Sequence, residues 1–180
     1  MKAKSIAIVA VAASLAAIGD FAVAAQDRNT LSVPDGLSVA EFKGYAGWED
    51  VAVSATPTSV KVIVANPVMI RAFKRGTPGN GKAFPEGSRI VKIEWLKKQN
   101  PASPYPVDIP DTLKTLSFIV KDSKRFPDTH GWAYAQFAYD PATDTLKPSA
   151  PLSLTGHECG YACHTAVAAN DYIFTAYPKR

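Results

Sequence analysis

The segment HECGYACHTAV, residues 157–167, contains both cysteines of the chain and two of its three histidines. Three residues separate Cys159 from Cys163, and His164 directly follows the second cysteine. Covalent attachment of haem uses two thiols and a following histidine, usually spaced C-x-x-C-H. Residues three and four apart share one face of a helix, so the extra residue moves the first thiol without turning it away. The motif therefore permits haem attachment in a wider form than usual.

Three kinds of site compete for these residues. The first is covalent haem attachment, and the second is a disulfide between Cys159 and Cys163 that closes a small loop. The third is a zinc site formed by His157, Cys159, Cys163 and His164, but four ligands within eight residues leave little chain to surround a tetrahedral ion. A disulfide alone gives no reason for a histidine directly after the second cysteine. We therefore favour haem, and keep a haem-free exported structural or binding module with a disulfide as the alternative.

The amino-terminal segment resembles a secretory signal peptide. It has two lysines, an apolar run from Ile6 to Ile18, and small residues suited to cleavage after Ala24 or Ala25. The run is shorter than the roughly 20 residues that a membrane-spanning helix needs. We therefore expect residues 1–25 to be removed and the protein to be periplasmic. Disulfides and covalently attached haem both form in that oxidising compartment.

The remaining segment, residues 26–180, has the size of one ordinary domain and is long enough to bury a core. The chain has a formal charge of +4, with Lys and Arg scattered among Asp and Glu, so we do not expect it to bind nucleic acid. Its fourteen prolines and eleven glycines divide the chain into short pieces and disfavour a helical bundle.

Several of these pieces alternate apolar and polar residues, or run apolar, as strands do. Between the first two strong strands, Asn66, Pro67 and Gly76 predict the cap, first turn and stop of a helix. We expect further short helices near residues 39–48 and around the cysteines, and a proline-rich surface loop over residues 97–111. The predicted strands are residues 59–65, 89–96, 115–121 and 132–139, with a weaker one at 50–55. Together they predict an α+β domain, an antiparallel sheet with peripheral helices.

Four blocks of the chain resemble the cytochrome P-460 family. CGYACHTAVAANDYIFTAYPKR is similar to the end of that family, where a haem c motif precedes a CHT.V...D..FT tail. FPEGSRIVKIEWLKK resembles its PEG...K..W strand, and FIVKDSKRFPDTHGWAYAQF its F.VKDS......GW.FA segment. VIVANPVMIRAFKRG is similar to its strand-to-helix step, with an Asn at the joint. The blocks follow the family's order from about Trp48 to the end of the chain.

The resemblance implies an exported haem c protein with an antiparallel sheet, usually a homodimer, and with one iron face open to a small ligand. Members of the family include enzymes that oxidise hydroxylamine and relatives that bind nitric oxide, and in the enzymes a lysine is bonded to the porphyrin. Carried over, the thioether cysteines are Cys159 and Cys163, the iron ligand is His164, and the linked lysine is Lys92. The wider cysteine spacing is the one departure, and it affects Cys159 most.

Lys92 also has an ordinary explanation, because most lysines are solvated and Glu94 lies two positions further along the strand. Strand alternation places Ile90, Lys92 and Glu94 on one face, which is mixed in character and compatible with a lysine facing a haem edge. In an enzyme, Glu94 or Asp140 would accept protons from hydroxylamine, and another cytochrome would accept the electrons.

The other aromatic and histidine residues carry weaker predictions. We expect His157 at the surface and His130 at the end of a turn. Trp132, Tyr134 and Phe137 either form a wall on the ligand side of the haem or pack in the core.

Overall fold

A computed structural model describes residues 25–33, 36–149 and 160–180. The predicted signal peptide, apart from Ala25, lies outside the described residues, as do His157 and Cys159. The central feature is one six-stranded sheet in which each strand pairs antiparallel with the next along the chain. The strands are β1 Glu49–Ala55, β2 Ser59–Ala65, β3 Arg89–Gln99, β4 Asp108–Lys121, β5 Trp132–Asp140 and β6 Thr145–Pro148.

The helices are short and lie at the periphery of the sheet. The α-helices are α1, Pro67–Lys74, and α2, Gly160–His164. Turns of 3-10 helix are Arg28–Thr30, Val39–Phe42, Tyr45–Gly47, Pro127–Thr129 and Thr165–Asn170. Among the described residues, no helix combines the length and apolar character needed to cross a membrane. The predicted α+β architecture is confirmed.

Asn66 joins α1 to the sheet, as its position predicts. Its side-chain oxygen accepts hydrogen bonds from the backbone N–H groups of Met69, at 3.2 Å, and Arg89, at 3.1 Å. Its amide nitrogen donates to the carbonyl of Gly87 at 2.8 Å. The residue thus caps the helix and also ties it to the start of β3.

Two expectations about the elements need correction. The helix expected near residues 39–48 is two 3-10 turns, because Gly44 adopts a left-handed conformation with φ 83° between them. The loop expected over 97–111 is shorter, since β3 extends to Gln99 and β4 begins at Asp108. Pro110 is tolerated because β5 pairs with β4 only from Thr115 onward, leaving this part of β4 as a sheet edge. The four-residue strand β6 was not predicted.

The sheet separates two apolar clusters, which we call the packed face and the cavity face. Side chains of the 3-10 segments before β1 cover the packed face, whereas α1, α2 and the carboxy-terminal segment cover the cavity face. Buried residues of the packed face include Leu37, Phe42, Val91, Leu116, Phe118, Phe137 and Leu146. Those of the cavity face include Ile63, Met69, Phe73, Phe84, Ile90, Trp132, Tyr134, Tyr161 and Ile173.

Candidate functional site

A cavity of about 440 Å³ lies against the cavity face of the sheet. Two cross-strand rows line it, because every second residue of a strand faces the same side. Strand pairing forms an apolar row of Ile90, Ile119 and Tyr134 and, beside it, a polar row of Lys92, Ser117 and Gln136. The cavity wall from the sheet is therefore apolar on one side and rich in hydrogen-bonding groups on the other.

The opposite wall is formed by α2 and the carboxy-terminal segment. Cys163 and His164 come from α2, and Ile173, Phe174 and Thr175 follow after the last 3-10 turn. The thiol of Cys163 is exposed and free. The structure thus brings the predicted residues Lys92, Cys163 and His164 to one cavity, although about seventy positions separate the lysine from the motif.

The ring of His164 is held by one hydrogen bond and two aromatic neighbours. Its Nδ1 lies 2.5 Å from the carbonyl oxygen of Tyr172. A carbonyl can only accept a hydrogen bond, so Nδ1 carries the proton and Nε2 keeps its lone pair in the neutral ring. Burial lowers the pKa of His164, the bond to Tyr172 opposes that shift, and the charge of Lys92 adds to it. The neutral ring with Nε2 available is the form that binds a metal.

The aromatic contacts limit the tilt of the same ring. The centroid of Tyr134 lies 4.7 Å from that of His164, and the centroid of Phe174 lies at 4.9 Å, in an edge-on arrangement. The imidazole is therefore oriented before any ligand binds.

Lys92 lies in the middle of the polar row and is half-buried. Burial lowers its pKa, the nearby charge of Lys61 lowers it further, and Glu94 acts in the opposite direction. Within the described ranges the ammonium group of Lys92 has neither a hydrogen-bond nor an ion-pair partner. A lysine whose charge is disfavoured is a better nucleophile, since only the neutral amine has a free electron pair.

Neither predicted proton acceptor lines the cavity. Glu94 is 6% exposed and accepts hydrogen bonds from Lys114 at 3.0 Å and Thr115 at 3.2 Å. Burial acts to raise the pKa of Glu94, but hydrogen bonds from Ser59 and Lys114 outweigh it, and the pKa is lowered. Asp140 lies at the end of β5, 3.4 Å from the ammonium group of Lys147. Among the residues described, no carboxylate faces the cavity.

The three aromatic residues considered for the ligand-side wall have different positions. Tyr134 lines the cavity, and its buried hydroxyl has no hydrogen-bond partner among the described residues. Trp132 belongs to the same face, but its indole N–H donates to Asp171 at 3.2 Å. Phe137 points to the packed face, since it lies three positions after Tyr134 along β5 and side chains alternate between faces. Of these three residues, only Tyr134 lines the cavity, and it lies beside the ring of His164.

His130 ends a turn, as expected, with a left-handed φ of 55° before Gly131. Its Nδ1 lies 2.6 Å from the hydroxyl of Tyr161, the residue in the middle of the motif. Sequence reasoning missed this contact. It also missed Ser117 and Gln136, although both alternate with apolar residues on strands that it predicted. The carbonyl of Tyr172 leaves no signal in the sequence, since every residue has one.

The described residues do not test the two competing readings of the motif, because both need Cys159. Of the two cysteines, Cys163 alone is described, and its thiol is free. In the part of the chain that is described, no three His, Cys, Asp or Glu side chains come together as a metal site. Two members of the proposed zinc set, His157 and Cys159, lie outside that part.

A comparison with protein-family models decides the family. The model described as Cytochrome P460 matches residues 42–175, which include all six strands and the described cavity residues. The chain belongs to the cytochrome P460 family. A search of curated proteins finds no match to it. Membership of this family makes the chain a haem protein of the P460 or cytochrome c-prime type.

The cavity residues of this cytochrome P460 family member fit a haem. A histidine with an available Nε2 can bind a haem iron, and an apolar row along the sheet suits the face of a porphyrin. The unpartnered Tyr134 hydroxyl and the polar row offer hydrogen bonds to polar substituents of such a group. His164 would hold the iron, and Cys163, with Cys159, would hold the porphyrin.

Proposed function

We propose that this protein is a periplasmic c-type haem protein whose iron site binds a small nitrogen ligand such as nitric oxide. The observation that carries the proposal is the state of His164, which lies beside a free cysteine. Its Nδ1–H donates a hydrogen bond to the carbonyl of Tyr172, so Nε2 stays available. Among the described residues that line the cavity, there is no second histidine and no methionine to bind the iron.

The chain's own residues define what this site does. When bound, the haem supplies an iron position for the ligand and a path for electrons. Tyr172 and Tyr134 orient the imidazole of His164. Ile90 and Ile119 keep water from the apolar side of the cavity. Absence of a carboxylate from the described cavity wall favours binding a neutral gas over proton-releasing chemistry, which needs an acceptor.

Hydroxylamine oxidation is the second candidate, and Lys92 favours it. Its pKa is lowered by burial, it has no partner among the described residues, and it lines the same cavity as His164. Such an amine is suited to form a bond with the porphyrin ring, which the oxidising members of the family carry. In that case the electrons pass to an external acceptor, for which another cytochrome is our proposal.

A homodimer is also part of the proposal. Apolar side chains are exposed near one end of the first three strands, where Val53 is 73% accessible and Val60, Val62 and Trp95 beside it are half-buried. Large apolar side chains left in water at one site are typical of a contact between subunits.

The attachment of haem is tested by expressing the full chain in a periplasm that contains the haem-attachment machinery. We expect a red protein whose denatured mass exceeds that of the processed chain by one haem. Cys163→Ala should lose most of the attached haem, whereas Cys159→Ala should retain part of it through the remaining thioether. A colourless product that lacks two hydrogens, as a disulfide does, would overturn the proposal.

The absorption spectrum and a peptide map then separate the two candidates. If Lys92 is linked, the ferrous absorption lies well to the red of ordinary haem c, and one haem peptide contains both CGYACH and the segment around Lys92. Lys92→Leu should restore the ordinary spectrum and abolish hydroxylamine turnover with an artificial acceptor, without loss of nitric oxide binding. Lys98→Leu is the matched control and should change neither property, because Lys98 lies on the same strand as Lys92 but outside the cavity and pairs with Asp111 at 2.7 Å. An ordinary wild-type spectrum without turnover leaves ligand binding as the function.

A further inference from the structure

A buried ion pair lies close in sequence to the residue that holds His164, yet outside the cavity. The ammonium of Lys121 is 2.9 Å from the carboxylate of Asp171, and the two side chains are only 7% and 12% exposed. Neither residue lines the cavity. A buried ion pair is costly to desolvate and is weak evidence for stability, so its position calls for another explanation.

Asp171 accepts three hydrogen bonds, from two strands and from the loop before β3. Its Oδ1 accepts from Lys121, the last residue of β4, and from the indole of Trp132, the first residue of β5, at 3.2 Å. Its Oδ2 accepts from the backbone N–H of Phe84 at 2.7 Å. The ammonium of Lys121 lies 4.8 Å from the centre of the Trp132 ring. The carboxylate is therefore fixed to the rigid sheet.

The backbone at this point is in an unfavourable conformation. Asp171 and Tyr172 both have left-handed φ values, 50° and 63°, although neither is glycine. This pair of residues reverses the chain after the last 3-10 turn, so that the carbonyl of Tyr172 returns to the Nδ1 of His164. Such strain persists only where the surroundings hold it, and the three bonds to Asp171 provide that hold.

We propose that Lys121 and Asp171 are positioning residues for His164, acting through the Tyr172 carbonyl to set the donor strength of the ligand nitrogen. This inference rests on the proposed role of His164 as the iron ligand. The hydrogen bond that Nδ1–H donates to the carbonyl makes Nε2 more basic, which strengthens its bond to iron and favours the ferric state. When the anchor is removed, the turn relaxes, the carbonyl moves away and this gain is lost.

The test uses the haem-loaded full chain with Asp171→Asn and Lys121→Met. Resonance Raman spectroscopy of the ferrous protein measures the iron–histidine stretching frequency, and a redox titration measures the midpoint potential. We expect the frequency to fall and the potential to rise in both variants. Lys121→Arg retains the charge and should restore values close to the wild type.

Glu41→Gln is the matched control. Glu41, like Asp171, accepts a backbone N–H, that of Ser38, and forms an ion pair, with Arg125, but it lies with the elements that cover the packed face. We expect this variant to lose stability with no change in frequency or potential. Unchanged values in Asp171→Asn and Lys121→Met, or equal shifts in Glu41→Gln, would overturn the inference. A wild type without an iron–histidine band would instead contradict the proposed function.

Discussion

The two faces of the sheet are built by the same strands but differ in how their side chains are packed. On the packed face, aromatic rings close the space, with Phe118 4.8 Å from Phe42 and 5.7 Å from Phe137 between centroids. On the other face, Tyr134 has an unpartnered hydroxyl, and Lys92 is half-buried without a partner in the described ranges. The comparison indicates that one face supplies stability, while the other keeps space and polar groups for a ligand.

Strand β5 shows the division within a few residues. Phe137 is fully buried on the packed face, whereas Tyr134 lines the cavity and contacts the ring of His164. Both are aromatic and both are buried, so residue type does not separate their roles. Substitutions in the two faces should therefore affect different properties of the protein.

The largest effect is expected for His164→Ala on the cavity face. Without its only histidine ligand from the described cavity wall, the protein should lose its native haem spectrum completely, even where the thioether bonds form. Absorption spectroscopy of the ferrous protein, with and without carbon monoxide, measures this.

His130→Ala is the control for that change, because His130 contacts the motif through Tyr161 but does not line the cavity. Its spectrum should remain that of the wild type. A low-spin, six-coordinate ferrous spectrum of the wild type that ignores carbon monoxide would indicate an electron carrier with two strong ligands, contrary to the open site described above.

Phe137→Ala tests the packed face. Truncating a fully buried phenylalanine should lower the free energy of unfolding by about 3–5 kcal/mol, because contacts are lost and a cavity remains. Denaturant unfolding measures this, and the haem spectrum should not change. Phe137→Leu, which keeps most of the volume, should cost less than about 1.5 kcal/mol. A spectral change in the alanine variant at unchanged stability would show that the two faces are not separate.

Tyr134→Phe is expected to have the smallest effect, and with the opposite sign. A buried hydroxyl without a partner costs about 1–3 kcal/mol, so its removal should stabilise the haem-free chain by about 1 kcal/mol. Urea unfolding of the haem-free chain measures the change. Tyr139→Phe is the control, because the hydroxyl of Tyr139 donates a hydrogen bond to Asp144 at 3.0 Å. We expect no stabilisation from this substitution. Destabilisation by Tyr134→Phe would mean that the hydroxyl is satisfied.

The strands, the helix at Asn66 and the α+β class were predictable because they depend on local patterns. Alternation along β3 also predicted correctly that Ile90 and Lys92 share a face. The extension of β4 through Pro110 was not predictable, since it depends on where β5 stops pairing. The position of Phe137 was not predictable either. Alternation shows that Phe137 and Tyr134 lie on opposite faces, but it does not show which face contains the site.

The sequence by itself determined the haem motif, the family resemblance and the period of each strand, because these reside in residue types and spacings. Only the tertiary structure decided that Lys92 reaches the cavity of His164 and that Glu94 and Asp140 do not line it. It also decided that the backbone carbonyl of Tyr172 holds the imidazole of His164. The residue before it, Asp171, forms a buried ion pair with Lys121 of strand β4. The physical reason is that strand pairing and chain reversal bring together groups whose separation along the chain leaves no local pattern.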